Sequence, residues 1–195
     1  MDNPTSCVLK GNCLMAVCLA FYFICWLFLF RPVSMPPLFG LGKIGTQVTG
    51  WIFCVMTYLS GTAGLILMLK GLTSETEFAV PGIPLSHMAG YAILTYIVCL
   101  ILSAVFMKRT PTVELLLLTG WTLFEASIID FLYMTGIFPL TKVLCFTVMT
   151  GIAFFVGFIS YIKYYNLPDK EAYICGCIPL VAGEVVTIIV SMMSG

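Results

Sequence analysis

Glu125, Asp130 and Glu184 are carboxylates set inside long apolar stretches of this chain. An ionised carboxylate at bilayer depth costs at least about 2.5 kcal/mol on insertion scales. Such a group carries a proton at neutral pH, or it lines a wet cavity. In either state it can hold a coupling proton, coordinate a cation or receive a cationic solute. No Lys or Arg stands deep in the stretches to pair with these acids. The chemistry that the residues point to is a polar route through an apolar body.

The apolar body consists of six stretches, at roughly 14–30, 47–69, 87–107, 114–135, 142–162 and 173–193. Each is close to the roughly 20 residues that cross a hydrocarbon core about 30 Å thick. Hydrophobic residues make up 61% of the chain and charged residues 9%. A soluble domain carries about 25% charged residues. The reading is an all-α, polytopic membrane protein: one domain over 1–195, a bundle of six transmembrane helices. The runs are continuous rather than alternating, which excludes a β-barrel. The formal net charge of zero excludes nucleic acid as a partner.

Span four, 114–135, holds two interior acids. Glu125 and Asp130 are five apart, about 140° around a helix, so they form no carboxylate dyad by themselves. Thr119, Thr122, Ala126 and Tyr133 fill the arc between them, and Leu117, Trp121, Phe124, Ile128, Phe131 and Leu132 lie opposite. In span six, Glu184 shares an arc of about 100° with Gly183, Thr187, Ser191 and Ser194. Pro179 cannot donate a hydrogen bond, so the Cys175 carbonyl is left free and a kink is expected. The substrate or ion pathway is therefore assigned to Glu125, Asp130, Glu184, Thr122, Tyr133 and Thr187. His87, with Tyr91 and Thr95 on the turns above it, opens span three behind the Ser86 cap. It is read as an interfacial side chain and a candidate pH sensor.

Span two carries a stripe of small side chains: Gly50, Cys54, Thr57, Gly61 and Gly64 fall within an arc of about 80°. Small residues let helix backbones approach closely in lipid. The stripe is expected to pack inside the chain, or to seat a second copy or another membrane protein. Ala153, Gly157 and Ser160 form a shorter version in span five.

Other chemistry finds little support. Eight of the nine cysteines lie in or at the ends of the spans, where they act as small hydrophobes. Cys175 and Cys177 point about 200° apart on a helix, so no metal or other cofactor is expected. Gly40-Leu41-Gly42-Lys43 lacks the spacing of a phosphate loop and has Ile44 where a hydroxyl should bind magnesium. Ser60-Gly61-Thr62-Ala63-Gly64 and His87-Met88-Ala89-Gly90 look like the serine and histidine motifs of rhomboid proteases. Their separation is too short and their helix order differs, so no catalytic residue is assigned.

Arg31, Lys43, Lys108, Arg109, Lys163 and Lys170 fall on one side of the six-span topology, and Lys10, Lys70 and Lys142 on the other. Positive charge marks the cytoplasmic side. This places both termini outside the cytoplasm, in a multi-pass protein of the cell membrane whose first span is retained. The leading functional expectation is a small permease or channel-like carrier. A non-catalytic assembly or partner subunit is the alternative, and an intramembrane enzyme comes after it.

Overall fold

The computed structural model describes residues 4–36, 38–74, 79–80, 83–84 and 110–194. Span three, with His87, Tyr91 and Thr95, lies outside the described residues, as do Lys108 and Arg109. Span one is an α-helix over Pro4–Leu29 and span two over Lys43–Ser74. Span four runs over Thr110–Met134, span five over Leu140–Tyr164 and span six over Asp169–Ser194. Apart from a two-residue antiparallel pairing of Ala79–Val80 with Ile83–Pro84, the described regular structure is helical. All five long helices are apolar and long enough to cross a membrane.

The helices run past the apolar stretches at most ends. A helix satisfies its own backbone groups, and a membrane offers no other partner for them, so the helix continues until a specific residue stops it. Span one starts at Pro4, ten residues before the apolar stretch 14–30, so Gly11 and Asn12 are interior and buried. Span six begins just after Pro168, with Asp169 and Glu171 in its first turn, where they complement the helix dipole. It passes through Pro179 without ending. Between spans four and five, Gly136 takes a positive φ of 75°, and the Phe138 N–H returns to the Leu132 carbonyl at 2.9 Å. In the 31–42 connection the Arg31 guanidinium donates twice to the Pro36 carbonyl and lies 6.0 Å from the Tyr173 ring centre.

Spans one and two form an antiparallel pair in constant register. Val8 lies against Gly71, Met68 against Gly11, Cys18 against Gly61 and Leu29 against Gly50. The small-residue stripe of span two therefore packs on span one of the same chain. Its other face, with Trp51, Val55 and Tyr58, is exposed. Only 11% of the most apolar window of span two is buried, against 33% for span four. Span two is thus peripheral and span four central.

Spans one, four, five and six supply most of the interior. Val8 of span one meets Met68 and Leu72 at one edge, and Ile128, Ile129, Leu132, Phe138, Phe146 and Val190 continue the cluster. Gly176 lets the Trp26 ring lie on span six, and Gly157 takes Leu118 and Pro179 against span five. Trp26 and Tyr173 then lock spans one and six together. The indole N–H donates to the Tyr173 carbonyl at 3.3 Å, and the Tyr173 hydroxyl donates to the Leu27 carbonyl at 2.8 Å.

Candidate polar junction of spans one, four and six

The hydroxyls of the helices mostly serve their own backbone. Thr119 donates to the Leu115 carbonyl at 2.8 Å and Thr122 to Leu118 at 2.9 Å. Thr57, Ser60 and Ser127 do the same one turn back. A hydroxyl satisfied in this way needs no neighbouring helix. The arc of span four that carries Thr122, Ala126, Asp130 and Tyr133 can therefore face outward. Asp130 and Tyr133 are exposed there, and Thr122 is half-buried.

Glu125 is different, being 2% exposed. The Trp121 indole N–H donates to Thr187 Oγ1 at 3.1 Å, and the Thr187 hydroxyl donates to Glu125 Oε2 at 3.0 Å. Trp121 stands one turn before Glu125, so one side of span four supplies both ends of this relay. Gly183, one turn before Thr187, gives the indole room: a Cβ there would already lie 3.4 Å from the ring. A larger side chain would push the indole away and break the alignment.

One turn further along span six, Ser191 Oγ accepts a hydrogen bond from Asn12 Nδ2 at 3.0 Å. Asn12 is 1% exposed and Thr187 1%. Span six thus presents a polar stripe whose successive turns engage span four through Thr187 and span one through Ser191. Interhelical hydrogen bonds in membranes contribute roughly 0.6–2 kcal/mol each. They fix which faces meet.

Several buried oxygens have no hydrogen-bond partner among the described residues: Glu125 Oε1, Asn12 Oδ1, Thr150 Oγ1 and Glu184 Oε2. Each such group costs about 1–3 kcal/mol when left unmatched. Glu184 is half-buried on span six, and on span one the Cys18 thiol donates to the Thr57 carbonyl at 3.3 Å. The three acids therefore occupy three environments. Glu125 is sealed at the span four–six seam, Glu184 is half-buried on span six with Oε2 unmatched, and Asp130 faces out.

Glu125 and Thr187 are brought into direct contact, and Glu184 lies one turn away on span six. The buried Asn12 and Thr150 and the half-buried Trp121 also belong to the polar set, and none of them was assigned to the pathway from sequence. Asn12 stands four residues after the buried Val8, a helical spacing. Thr150 extends the Ala153, Gly157, Ser160 stripe by one turn. Both signals were present in the spacing. Trp121 was sorted by bulk with the apolar side, although its N–H is a donor that seeks a partner when buried.

Among the described residues, no three His, Cys, Asp or Glu side chains come close enough to hold a metal ion. An open groove of about 590 Å³ runs along spans five and six, lined by apolar side chains such as Ile152, Val156, Ile178 and Val185, with Cys177 beside them. It is separate in composition from the polar junction. No protein-family model, curated protein or solved structure matches this chain.

Proposed function

We propose that the chain is a small multi-pass carrier in which Glu125, held by Thr187, is the working carboxyl of a polar route between spans four and six. The observation that carries this reading is the sealed position of Glu125, with one oxygen bonded to Thr187 and the other unmatched. In an inert bundle, apolar side chains of the same shape in place of both Glu125 and Thr187 would serve as well or better. The polar relay makes sense when the acid is used. Glu184, one turn before Thr187 on span six, extends the route. Uptake of a panel of small cationic and neutral solutes into proteoliposomes tests the reading. Faster entry of at least one solute than into protein-free vesicles is expected. Identical entry across the panel would count against a carrier.

Six crossings belong to the same proposal, with 87–107 supplying the third. Helix direction supports it. Asn12 meets Ser191 while Trp26 meets Tyr173, so spans one and six are antiparallel and the two termini share a face. Trp121 lies against Gly183 and Glu125 against Thr187, so spans four and six are parallel. Span two is antiparallel to span one, hence parallel to span four. Equal direction of spans two and four favours one further crossing between them. Arg31, Lys43, Lys163 and Lys170 lie at the end of the bundle away from both termini, while Lys10, Lys70 and Lys142 lie at the other. This distribution favours termini outside the cytoplasm of the cell membrane. A reporter active only in the cytoplasm should stay silent when fused after Gly195. Activity there would reverse the orientation.

An assembly subunit is the second reading. Span two would then dock through its outer face, where Trp51 and Tyr58 are 63% and 74% exposed, because span one occupies the small-residue face. Co-purification of a second copy or a stoichiometric membrane partner would favour it.

A further inference from the structure

We infer that the cation bound at Glu125 is a proton and not a metal ion; this rests on the carrier reading and names its coupling ion. Hard metal cations in proteins gather several oxygens, six to eight for calcium and an octahedron for magnesium. Among the described residues, Glu125 has one oxygen bonded to it, Thr187 Oγ1. That hydroxyl points its hydrogen at the carboxyl and already accepts from the Trp121 indole. With one bond donated and one accepted, that hydroxyl offers a metal ion a single lone pair, far short of a coordination shell. The flanking positions Ile128, Ile129 and Leu132 are apolar and buried, so they offer no ligands.

Backbone carbonyls do not make up the shortfall. Spans four and six are unbroken helices through Glu125 and Thr187. The carbonyl freed by Pro179 belongs to Cys175, twelve residues and about 18 Å along the axis from Thr187. A proton needs one oxygen and no void. Oε1 is the atom available: it forms one O–H bond, the carboxylate becomes a neutral acid, and no electron changes hands. The Thr187 bond to Oε2 persists in both states.

Several titratable groups stand on the described elements packed around Glu125. Asp130 stands on its own helix and is exposed. Glu184 and Cys177 are on span six, Lys142 and Cys145 on span five, and Lys10, Cys13 and Cys18 on span one. None of them hydrogen-bonds Glu125. Among the described residues, the acid that shares the polar stripe of span six with Thr187 is Glu184.

Dicyclohexylcarbodiimide, which attacks protonated carboxyls in apolar surroundings, supplies the test. The reconstituted full-length protein is treated across a pH series and the modified peptides are mapped by mass spectrometry. Labelling at Glu125 is expected, falling about ten-fold per pH unit above its midpoint. It should be unchanged by saturating sodium, potassium or calcium, absent in Glu125→Gln and retained in Glu184→Gln. Protection of Glu125 by a metal ion at fixed pH would overturn the proton assignment. So would an unlabelled Glu125 at acid pH in a sample where Glu184 is labelled. Metal protection in a working carrier would sink this inference alone. Proton-type labelling in a protein that moves no solute would sink the carrier reading alone.

Discussion

Gly11→Val is expected to push spans one and two apart and to destabilise the bundle by about 1–3 kcal/mol or more. The cause is backbone proximity. A Cβ at Gly11 would lie 2.8 Å from the Met68 nitrogen and 2.9 Å from the Gly64 carbonyl oxygen. Backbone atoms cannot rotate out of the way as a side-chain end can. The effect should reach the polar junction, because Asn12 is the next residue and its bond to Ser191 depends on how span one sits. Gly151 provides the control, since nothing lies within 4 Å of a Cβ built there. Reversible unfolding in mixed micelles should show Gly151→Ala close to wild type and Gly11→Val well below it. Equal stability of the two variants would contradict the close seam.

Glu125 gives the second large effect, and it separates stability from function. Glu125→Ala removes the acceptor of the Thr187 hydroxyl and leaves a hole in a sealed seam. Together these should cost about 2–4 kcal/mol. Glu125→Gln keeps the shape and a carbonyl oxygen for Thr187, so its cost should stay below about 1.5 kcal/mol. The same unfolding measurement distinguishes them. If both variants matched wild type, the relay from Trp121 through Thr187 to Glu125 would not hold spans four and six.

Much of the fold was legible because apolar length is a strong signal and lipid leaves the backbone few alternatives to helix. Five of the six stretches correspond to described helices, and the small residues of span two fall on one packed face. Helix ends were harder to read. Polar residues such as Asn12 and Lys70 flank the apolar stretches and look like boundaries, but the helices continue through them while their backbone remains satisfied. Span four shows the deeper difficulty. Its face was sorted by side-chain type, which put Thr122, Asp130 and Tyr133 with Glu125. The threonines satisfy themselves through the preceding turn, so their type said little about where they must point. Trp121, sorted by bulk, turned out to donate to Thr187. Angle around a helix shows which residues share a face, but it does not show which of them lack a partner. That requires the neighbouring helices.

The relay at Glu125 is the centre of this account, and its use can be measured directly. Solute flux into proteoliposomes under an imposed pH gradient should be compared for wild type and Glu125→Gln, with Glu184→Gln beside them and equal folded protein in each. The account predicts that Glu125→Gln falls to the rate of protein-free vesicles while its unfolding curve stays near wild type. Wild-type flux through Glu125→Gln would contradict it.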